Sequence, residues 1–186
     1  ELKSSLTADL LQLGEAQYRQ ANNMTDAMAA LSAVVNADRA VGDALLDDFL
    51  GKWRHDPLVM DKWLAIQAAC PLPGTLARVQ GLLNHPIFSL TNPNKVRALI
   101  ASFCALSQHQ FHSVDGQGYA FLGEQVLRLD AINPQIAARM AAPFSQWRRY
   151  DKKRQVLMQE QLNIFLRQAT LSDDLKELVE KSLQEQ

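Results

Sequence analysis

The sequence has 186 residues, 47% of them hydrophobic and 21% charged, a length and composition that support a buried core and exclude the disordered and collagen-like classes. Its 19 lysines and arginines nearly balance its 20 aspartates and glutamates, so the net charge of −1 gives no overall field to attract nucleic acid or an anionic membrane. It contains neither eighteen consecutive apolar residues nor a basic leader followed by an apolar run, so we expect no membrane span and no signal peptide.

Apolar residues recur at helical spacing along almost the whole chain, while glycine is sparse. One such stripe contains Val96, Leu99, Ile100 and Phe103, which recur every three or four residues. We therefore predict an all-α fold of about ten helices, in one domain covering 1–186. In chain order the predicted helices are 2–21, 25–36, 38–54, 57–70, 75–84, 93–107, 117–131, 134–149, 151–169 and 173–184.

Three helix starts carry the same signal, an N-cap residue directly before proline, in Asp56-Pro57, Asn92-Pro93 and Asn133-Pro134. Their spacings of 36 and 41 residues match a helix hairpin that repeats about every 40 residues. This favours a superhelical array of antiparallel helix hairpins, a HEAT- or armadillo-like α-solenoid. An irregular helical bundle remains the alternative.

The two cysteines, Cys70 and Cys104, both fall in apolar helical patterns. Buried free thiols are typical of a reducing compartment, so we expect a cytoplasmic protein. The chain begins at Glu1, without an initiator methionine and already inside a helical pattern. We therefore expect a fragment of a longer polypeptide.

No catalytic or metal-binding motif is found in the sequence. No histidine belongs to an H-E-x-x-H motif, there is no G-x-S-x-G elbow, and no phosphate-binding glycine loop occurs. Only His109 and His112 are close enough to share a metal ion, and they lack a nearby cysteine or carboxylate. We interpret both as surface residues and predict no metal site.

Two short segments have a structural and a functional reading. The segment from Asp115 to Tyr119 contains Gly116 and Gly118 and is interpreted as a tight turn in which Asp115 caps the next helix, rather than as an anion-binding loop. The basic run 148–154 is interpreted as the end of one helix, closed by Arg148 and Arg149, and the start of the next. Contact with nucleic acid or an acidic membrane is the alternative for this run.

Two arginines lie beside apolar helical stripes, namely Arg97 next to Val96 and Arg139 near Ile136, on helices that we expect to be neighbours. From the pattern alone, a guanidinium at the edge of the core or in a salt bridge is favoured over ligand binding. Pro143 lies four residues beyond Arg139, and a kink there would alter the direction of Arg139.

Several stretches together resemble the C-terminal domain of the bacterial aminopeptidase N family of zinc metallo-aminopeptidases. The resemblance covers nearly the whole chain and occurs in the same order. Its residues are Asn23-Met24-Thr25-Asp26, 58–63, Gly81-Leu82-Leu83, 92–97, 115–119, Asn133-Pro134-Gln135, Arg149-Tyr150-Asp151 and Arg154-Gln155.

The resemblance implies a non-catalytic helical domain that packs over an upstream catalytic domain, encloses its active-site cavity and helps control peptide access. Zinc and the catalytic residues would belong to that upstream domain, so we expect this fragment to bind no zinc and to cleave nothing alone. The implied partners are the upstream domain and peptide substrates, with no nucleic acid and no membrane.

Carried over residue by residue, Arg97 and Arg139 fall where the family places arginines that face the cavity. They are the predicted substrate-binding residues, and each guanidinium would receive the C-terminal carboxylate of a short peptide. The resemblance assigns no role to Lys152 or Lys153. A free-standing α-solenoid that binds a partner protein is the alternative function. The pattern of leucines on the first helix favours packing on a preceding part of the chain and argues against this alternative; these are Leu2, Leu6, Leu10, Leu11 and Leu13.

Overall fold

The computed structural model describes residues 2–184, with side chains from residue 8 onward, and all regular structure in this range is helical. The first half contains five helices, α1 (Leu2–Gln20), α2 (Met24–Ala37), α3 (Arg39–Trp53), α4 (Pro57–Ala69) and α5 (Thr75–Leu82). The second half contains α6 (Pro93–Val96), a π-helical segment (Arg97–Ala101), α7 (Ser102–Leu106), α8 (Gln108–Phe111), α9 (Gln117–Asp130), α10 (Pro134–Ser145), a 3₁₀ turn (Trp147–Arg149), α11 (Lys152–Leu166) and α12 (Asp173–Gln184). The all-α prediction is confirmed.

The three predicted N-caps before proline are present. Side-chain oxygens of Asp56, Asn92 and Asn133 accept hydrogen bonds from the first backbone amides of α4, α6 and α10. A proline opens each helix, where its missing N–H costs no intrahelical bond. Local sequence therefore determines where these three helices begin.

Helix α4 is the centre of the first half. Its buried residues, among them Met60, Trp63 and Leu64, cover a wide face, while Leu58 and Lys62 are exposed on the opposite side. It packs against α3, α5, the π-helical segment and α7. The indole N–H of Trp63 donates to the carbonyl oxygen of Leu46 at 3.0 Å, which fixes α4 to α3.

Helices that follow one another along the chain pack together, most extensively α1 on α2, α2 on α3 and α9 on α10. In the second half α12 packs on α10 and α11, and α11 also packs on α9. Phe144 and Phe165, both fully buried, meet between α10 and α11 with ring centroids 5.7 Å apart. Hairpin packing of this kind is the architecture that the sequence predicts.

Three element predictions differ from the structure. The predicted helix 93–107 contains the π-helical segment, where the backbone N–H of Ser102 bonds to the carbonyl oxygen of Arg97 five residues earlier. Residues 108–111 form the short helix α8, which is absent from the predicted elements. The predicted helix 134–149 ends at Ser145, two residues after Pro143, and continues only as a 3₁₀ turn.

The last helix is held at both ends by side chains of other helices. At its start, the buried carboxylate of Asp130 accepts the backbone N–H of Ser172 at 2.9 Å and also binds its hydroxyl. At its end, the guanidinium of Arg148 donates to the carbonyl oxygens of Ser182 and Leu183 at 2.8 and 3.1 Å. The prediction that Arg148 closes its own helix is therefore wrong: the guanidinium caps the free carbonyls of a helix 34 residues further on.

The alternative interpretation of the basic run 148–154 is contact with nucleic acid or an acidic membrane. The contacts that this run makes within the fold give that interpretation no support. Asp151 caps α11 as predicted, accepting the backbone amides of Lys153 and Arg154. Arg148 and Arg154 are engaged within the fold, by the end of α12 and by Asp151 respectively. None of the described helices is long and apolar enough to span a membrane.

Candidate functional site

Arg139 lies on the exposed face of α10, whose opposite face is in the core. Asn133 and Pro134 start this helix, and Ala137, Met140 and Phe144 provide its buried face. Pro143 has no N–H to donate to the carbonyl of Arg139, four residues earlier. Arg139 therefore offers a cationic side chain and a backbone carbonyl that lacks its usual helical donor.

A groove of about 270 Å³ lies beside Arg139, between α7, α8 and α10, and we call it the Arg139 groove. Its polar lining consists of Gln108, His112, Arg139, Gln146 and Tyr150. Its apolar lining consists of Ala101, Cys104, Ala105, Phe111, Met140 and Pro143. One cation, two carboxamides and a phenol around a small apolar surface form a lining suited to a short peptide.

His112 forms one wall of this groove, and its interpretation as a surface residue is wrong. The ring is half-buried, with Nδ1 2.8 Å from the hydroxyl of Tyr119 and Nε2 3.1 Å from the hydroxyl of Tyr150. It also stacks on Tyr150, with ring centroids 4.4 Å apart. The two tyrosines come from 7 and 38 residues further along the chain, so no local pattern could show this environment. His109 is exposed, as predicted.

The environment of His112 disfavours its charged form. Burial lowers the pKa of His112, and the nearby positive charge of Arg154 lowers it further. Burial also raises the pKa of the fully buried Tyr119 to about 12, so its hydroxyl stays protonated. The neutral form of His112 is therefore favoured, with the protonated hydroxyl of Tyr119 beside its Nδ1.

Arg154 ties this wall to α11. Its Nε donates to the carbonyl oxygen of His112 at 2.7 Å, and its other arm forms an ion pair with Asp151 at 2.5 Å. This ion pair, with the backbone amide of Arg154, lowers the pKa of Asp151. The basic run thus helps to build the groove wall, a role that its sequence does not indicate.

Arg97, the second predicted site residue, does not line the Arg139 groove. It is exposed at the start of the π-helical segment, which packs chiefly on α4, and its guanidinium binds the side-chain oxygen of Asn94. Ala101, one turn further along, is part of the groove lining. The structure thus places the two arginines on elements that share the groove, with only Arg139 in its wall.

The loop before α9 forms the predicted turn. The N-cap of α9 is Gly116, which has a left-handed φ of 74°, and not Asp115 as predicted. Asp115 lies one residue earlier, and its carboxylate accepts the backbone N–H of Gln117, the first residue of the helix, at 3.1 Å. Gly118 lies against the backbone of Phe111, so close that a Cβ there would overlap its carbonyl oxygen. The second glycine therefore allows α8 and α9 to pack, which favours the structural reading over an anion-binding loop.

The described residues contain two thiols, those of Cys70 and Cys104. Cys104 lies at the floor of the groove, and burial raises the pKa of its thiol, which keeps it protonated. Cys70 donates to the carbonyl oxygen of Val35 at 3.4 Å, and both cysteines are free thiols. Within residues 2–184 no three histidine, cysteine or acidic residues come together as metal ligands.

Gln108, Gln146 and Tyr150 are site residues that the sequence does not predict. Tyr150 lies inside the basic run, Gln108 is the first residue of α8, and Gln146 follows the end of α10 at Ser145. The amide of Gln108 donates to the carbonyl oxygens of Cys104 and Ala105, which fixes its orientation at the groove edge. Of these three residues, only Gln146 could have been located from the sequence, because Pro143 ends α10 just before it.

Comparison with known proteins identifies the architecture. A family described as "Domain of unknown function (DUF3458_C) ARM repeats" matches residues 2–184, which confirms the prediction of an armadillo-like solenoid. The chain is 45% identical over 172 residues to Aminopeptidase N of Haemophilus influenzae and 44% identical over 167 residues to Aminopeptidase N of Escherichia coli. These matches cover 92% and 90% of this chain, and 20% and 19% of the relatives.

A solved structure gives the same result. The crystal structure of Legionella pneumophila aminopeptidase A in complex with aspartic acid superposes with a TM-score of 0.88 at 35% identity, over 93% of this chain and 20% of that protein. The chain thus spans about a fifth of the length of the relatives that it matches. The resemblance that the sequence motifs indicate is confirmed.

Proposed function

The chain belongs to the DUF3458_C family of ARM-repeat domains and is homologous to part of aminopeptidase N, and from this premise we propose that it is the non-catalytic C-terminal domain of a zinc aminopeptidase. In this proposal the zinc ion and the bond-breaking residues belong to an upstream catalytic domain. The present chain supplies a wall of the cavity that encloses the active site, and it helps to control which peptides enter. The cytoplasm is the proposed location, since both cysteines are free thiols.

An apolar surface on the first hairpin supports packing on another domain. Leu10 and Leu13 of α1 are more than half exposed, and both line an apolar groove of about 300 Å³ that continues over Ala33, Val34 and Ala37 of α2. Exposed leucines grouped in this way are typical of an interface. The upstream domain is the proposed occupant of this surface. Leu2 and Leu6 belong to the same predicted set of leucines, but their side chains are not among those that the structure describes.

The position of Arg139 carries the proposal that the domain contacts substrate. Its guanidinium lies in the wall of a groove that also presents carboxamides and a phenol, and the structure gives it no acidic partner in the described part of the chain. A carboxylate is the ligand that a guanidinium fork matches best. A short peptide held by its N-terminus at the active site would place its C-terminal carboxylate here, so Arg139 would bind and orient rather than break bonds.

Arg97 has a supporting role in this proposal. It is exposed on the same helical run that contributes Ala101 to the groove, and Asn94 holds its guanidinium. Longer peptides would reach Arg97 beyond the groove. Both arginines are therefore substrate-binding candidates, with Arg139 expected to have the larger effect on short peptides.

Kinetics of the full-length enzyme with matched substrates test the proposal. Arg139→Gln, and the double variant Arg97→Ala with Arg139→Ala, should lower kcat/KM for free tri- and tetrapeptides by about 5- to 150-fold. The same peptides with amidated C-termini should lose less than about twofold. Arg167→Gln removes an exposed arginine from the end of α11 and is the matched control. An equal loss on free and amidated peptides would contradict the carboxylate role.

A further inference from the structure

A second cavity lies at the other end of the domain, among the end of α1, the turn into α2 and the end of α3. It has a volume of about 310 Å³, and we call it the α1–α3 pocket. It shares no lining residue with the Arg139 groove. Its volume is at the lower end of the range for small-molecule sites, enough for one ring and a short polar arm.

The back of the pocket is apolar and aromatic. Met24 and Phe49 line it, and Phe49 is fully buried, so this part cannot rearrange without disturbing the core. Trp53 lies beside Phe49, with ring centroids 6.4 Å apart, but 36% of its surface remains exposed. His55 stacks beside the same indole, with ring centroids 6.5 Å apart. The exposed part of the indole provides a surface for an apolar ring.

The rim of the pocket carries two cations. Arg19 is exposed and forms a long ion pair with Glu15 at 3.8 Å, and its charge also acts on the carboxyl group of Asp48. Lys52 is fixed by Asp48 at 2.7 Å and lies 5.3 Å from the ring centre of Tyr18. Asp48 is itself held by the hydroxyl of Tyr18 at 2.7 Å. The ammonium is therefore held at the rim, whereas the guanidinium of Arg19 is available to a ligand.

Two asparagines complete the rim. Asn23 caps α2 by accepting the backbone N–H of Asp26, and its amide donates to the side-chain oxygens of Asn22 and Asp26 at 3.1 and 2.7 Å. Because the side-chain oxygen of Asn22 is the acceptor of this bond, its amide N–H₂ remains as a donor at the rim. The rim thus offers donors and positive charge above an aromatic floor.

We propose that the α1–α3 pocket binds a small monocarboxylate that carries one apolar ring, with the carboxylate at Arg19 and Lys52 and the ring against Trp53. The guanidinium fork supplies two parallel hydrogen bonds to the carboxylate, and Asn22 supplies a third donor. This site goes beyond the proposed role of the Arg139 groove, and its test does not depend on peptide cleavage.

The probe for the test is 3-phenylpropionate, titrated into the full-length polypeptide and followed by ligand-observed NMR. We expect a dissociation constant on the order of 1 mM, as for a ligand of this size. 3-Phenylpropanamide, which has the same ring and no charge, should bind at least about fivefold more weakly. Arg19→Gln should weaken the binding of 3-phenylpropionate by the same factor, and Trp53→Leu should weaken the binding of both compounds. Arg167→Gln is the control and should leave both affinities unchanged.

Arg19→Lys separates charge from geometry, because it keeps the positive charge without the fork and should give an intermediate affinity. Thermal unfolding of each variant verifies that the fold is intact, and Arg19 is exposed enough for these changes to be tolerated. Equal affinity for the acid and the amide would overturn the proposal. So would no binding at about 10 mM, tenfold above the expected dissociation constant, or binding that Arg19→Gln leaves unchanged.

Discussion

The guanidinium of Arg148 lies 2.8 Å from the carbonyl oxygen of Ser182, and the indole N–H of Trp147 donates to the same oxygen at 3.0 Å. Arg148 also lies 4.2 Å from the ring centre of Trp147. The last carbonyls of a helix have no intrahelical donor, so a cationic side chain is well suited to them. Two consecutive residues of the 3₁₀ turn thus form the C-terminal cap of α12.

Replacing Arg148 tests this cap. Arg148→Ala should lower the free energy of unfolding by about 1–3 kcal/mol, because it removes two charge-assisted hydrogen bonds from a partly buried site. Its neighbour Arg149 is exposed and has no side-chain partner among the described residues, so Arg149→Ala should change stability by less than about 0.5 kcal/mol. Chemical denaturation measures both. Similar losses for the two variants would contradict the capping role.

The free energy of unfolding should decrease as the pH is lowered, because of His112. Because burial and Arg154 lower the pKa of His112 in the folded state, the unfolded chain takes up a proton near its ordinary pKa of about 6.5, before the folded chain does. Folding is therefore favoured above about pH 6.5 and weakens as the pH falls below it. Denaturation at about pH 7.5 and about pH 5.5, on either side of the ordinary pKa, should show the loss for the native chain.

The variant His112→Gln serves as the control for this pH dependence, since it keeps polar atoms near the tyrosine hydroxyls and cannot titrate. Its stability should change less between the same two pH values. The carboxyl groups with lowered pKa values, those of Asp48, Asp151 and Glu177, lose their contribution only when they protonate below about pH 4.5. An identical change in the free energy of unfolding with pH for both proteins would show that other groups are responsible.

The contact between Gly118 and Phe111 predicts a strong effect of one methyl group. Gly118→Ala should destabilise the domain by about 1–3 kcal/mol or more, because the new Cβ would overlap the carbonyl oxygen of Phe111. Gly81 in α5 has no neighbouring atom within 4 Å of the position that a Cβ would occupy, so Gly81→Ala should be neutral or stabilise by about 0.5–1 kcal/mol. Thermal unfolding of the pair measures the difference, and equal melting temperatures would contradict it.

The partly buried ion pair between Lys95 and Asp61 makes a fourth prediction about stability. Lys95 Nζ lies 2.7 Å from the carboxylate of Asp61 and donates to the carbonyl oxygen of Pro57 at 2.9 Å, which ties α6 to the first turn of α4. Lys95→Met should cost about 2–4 kcal/mol, because it leaves Asp61 without its counter-charge. The double variant Lys95→Met with Asp61→Leu should regain at least half of this loss. No recovery in denaturation experiments would mean that the bond to Pro57 dominates.

Sequence is sufficient for prediction wherever the deciding interaction is local. Asp56, Asn92 and Asn133 cap their helices through amides two or three residues away, so spacing alone locates them. The predictions for His112 and Arg148 are wrong because their partners lie 38 and 34 residues further along, and only tertiary packing brings them together. The same applies to the Arg139 groove, because Gln108 begins a helix that is absent from the predicted elements and Gln146 follows a helix that ends earlier than predicted.

The π-helical segment also determines where this run of helix can lose a residue. Its widened turn accommodates one more residue than an α-helical turn, because the backbone N–H of Ser102 bonds to the carbonyl oxygen of Arg97 five residues earlier. Removal of a single residue from 97–101 would restore an α-helical turn and leave Phe103 and Cys104 on the buried face. The same deletion inside a regular helix such as α9 would rotate every later side chain of that helix by about 100° about its axis.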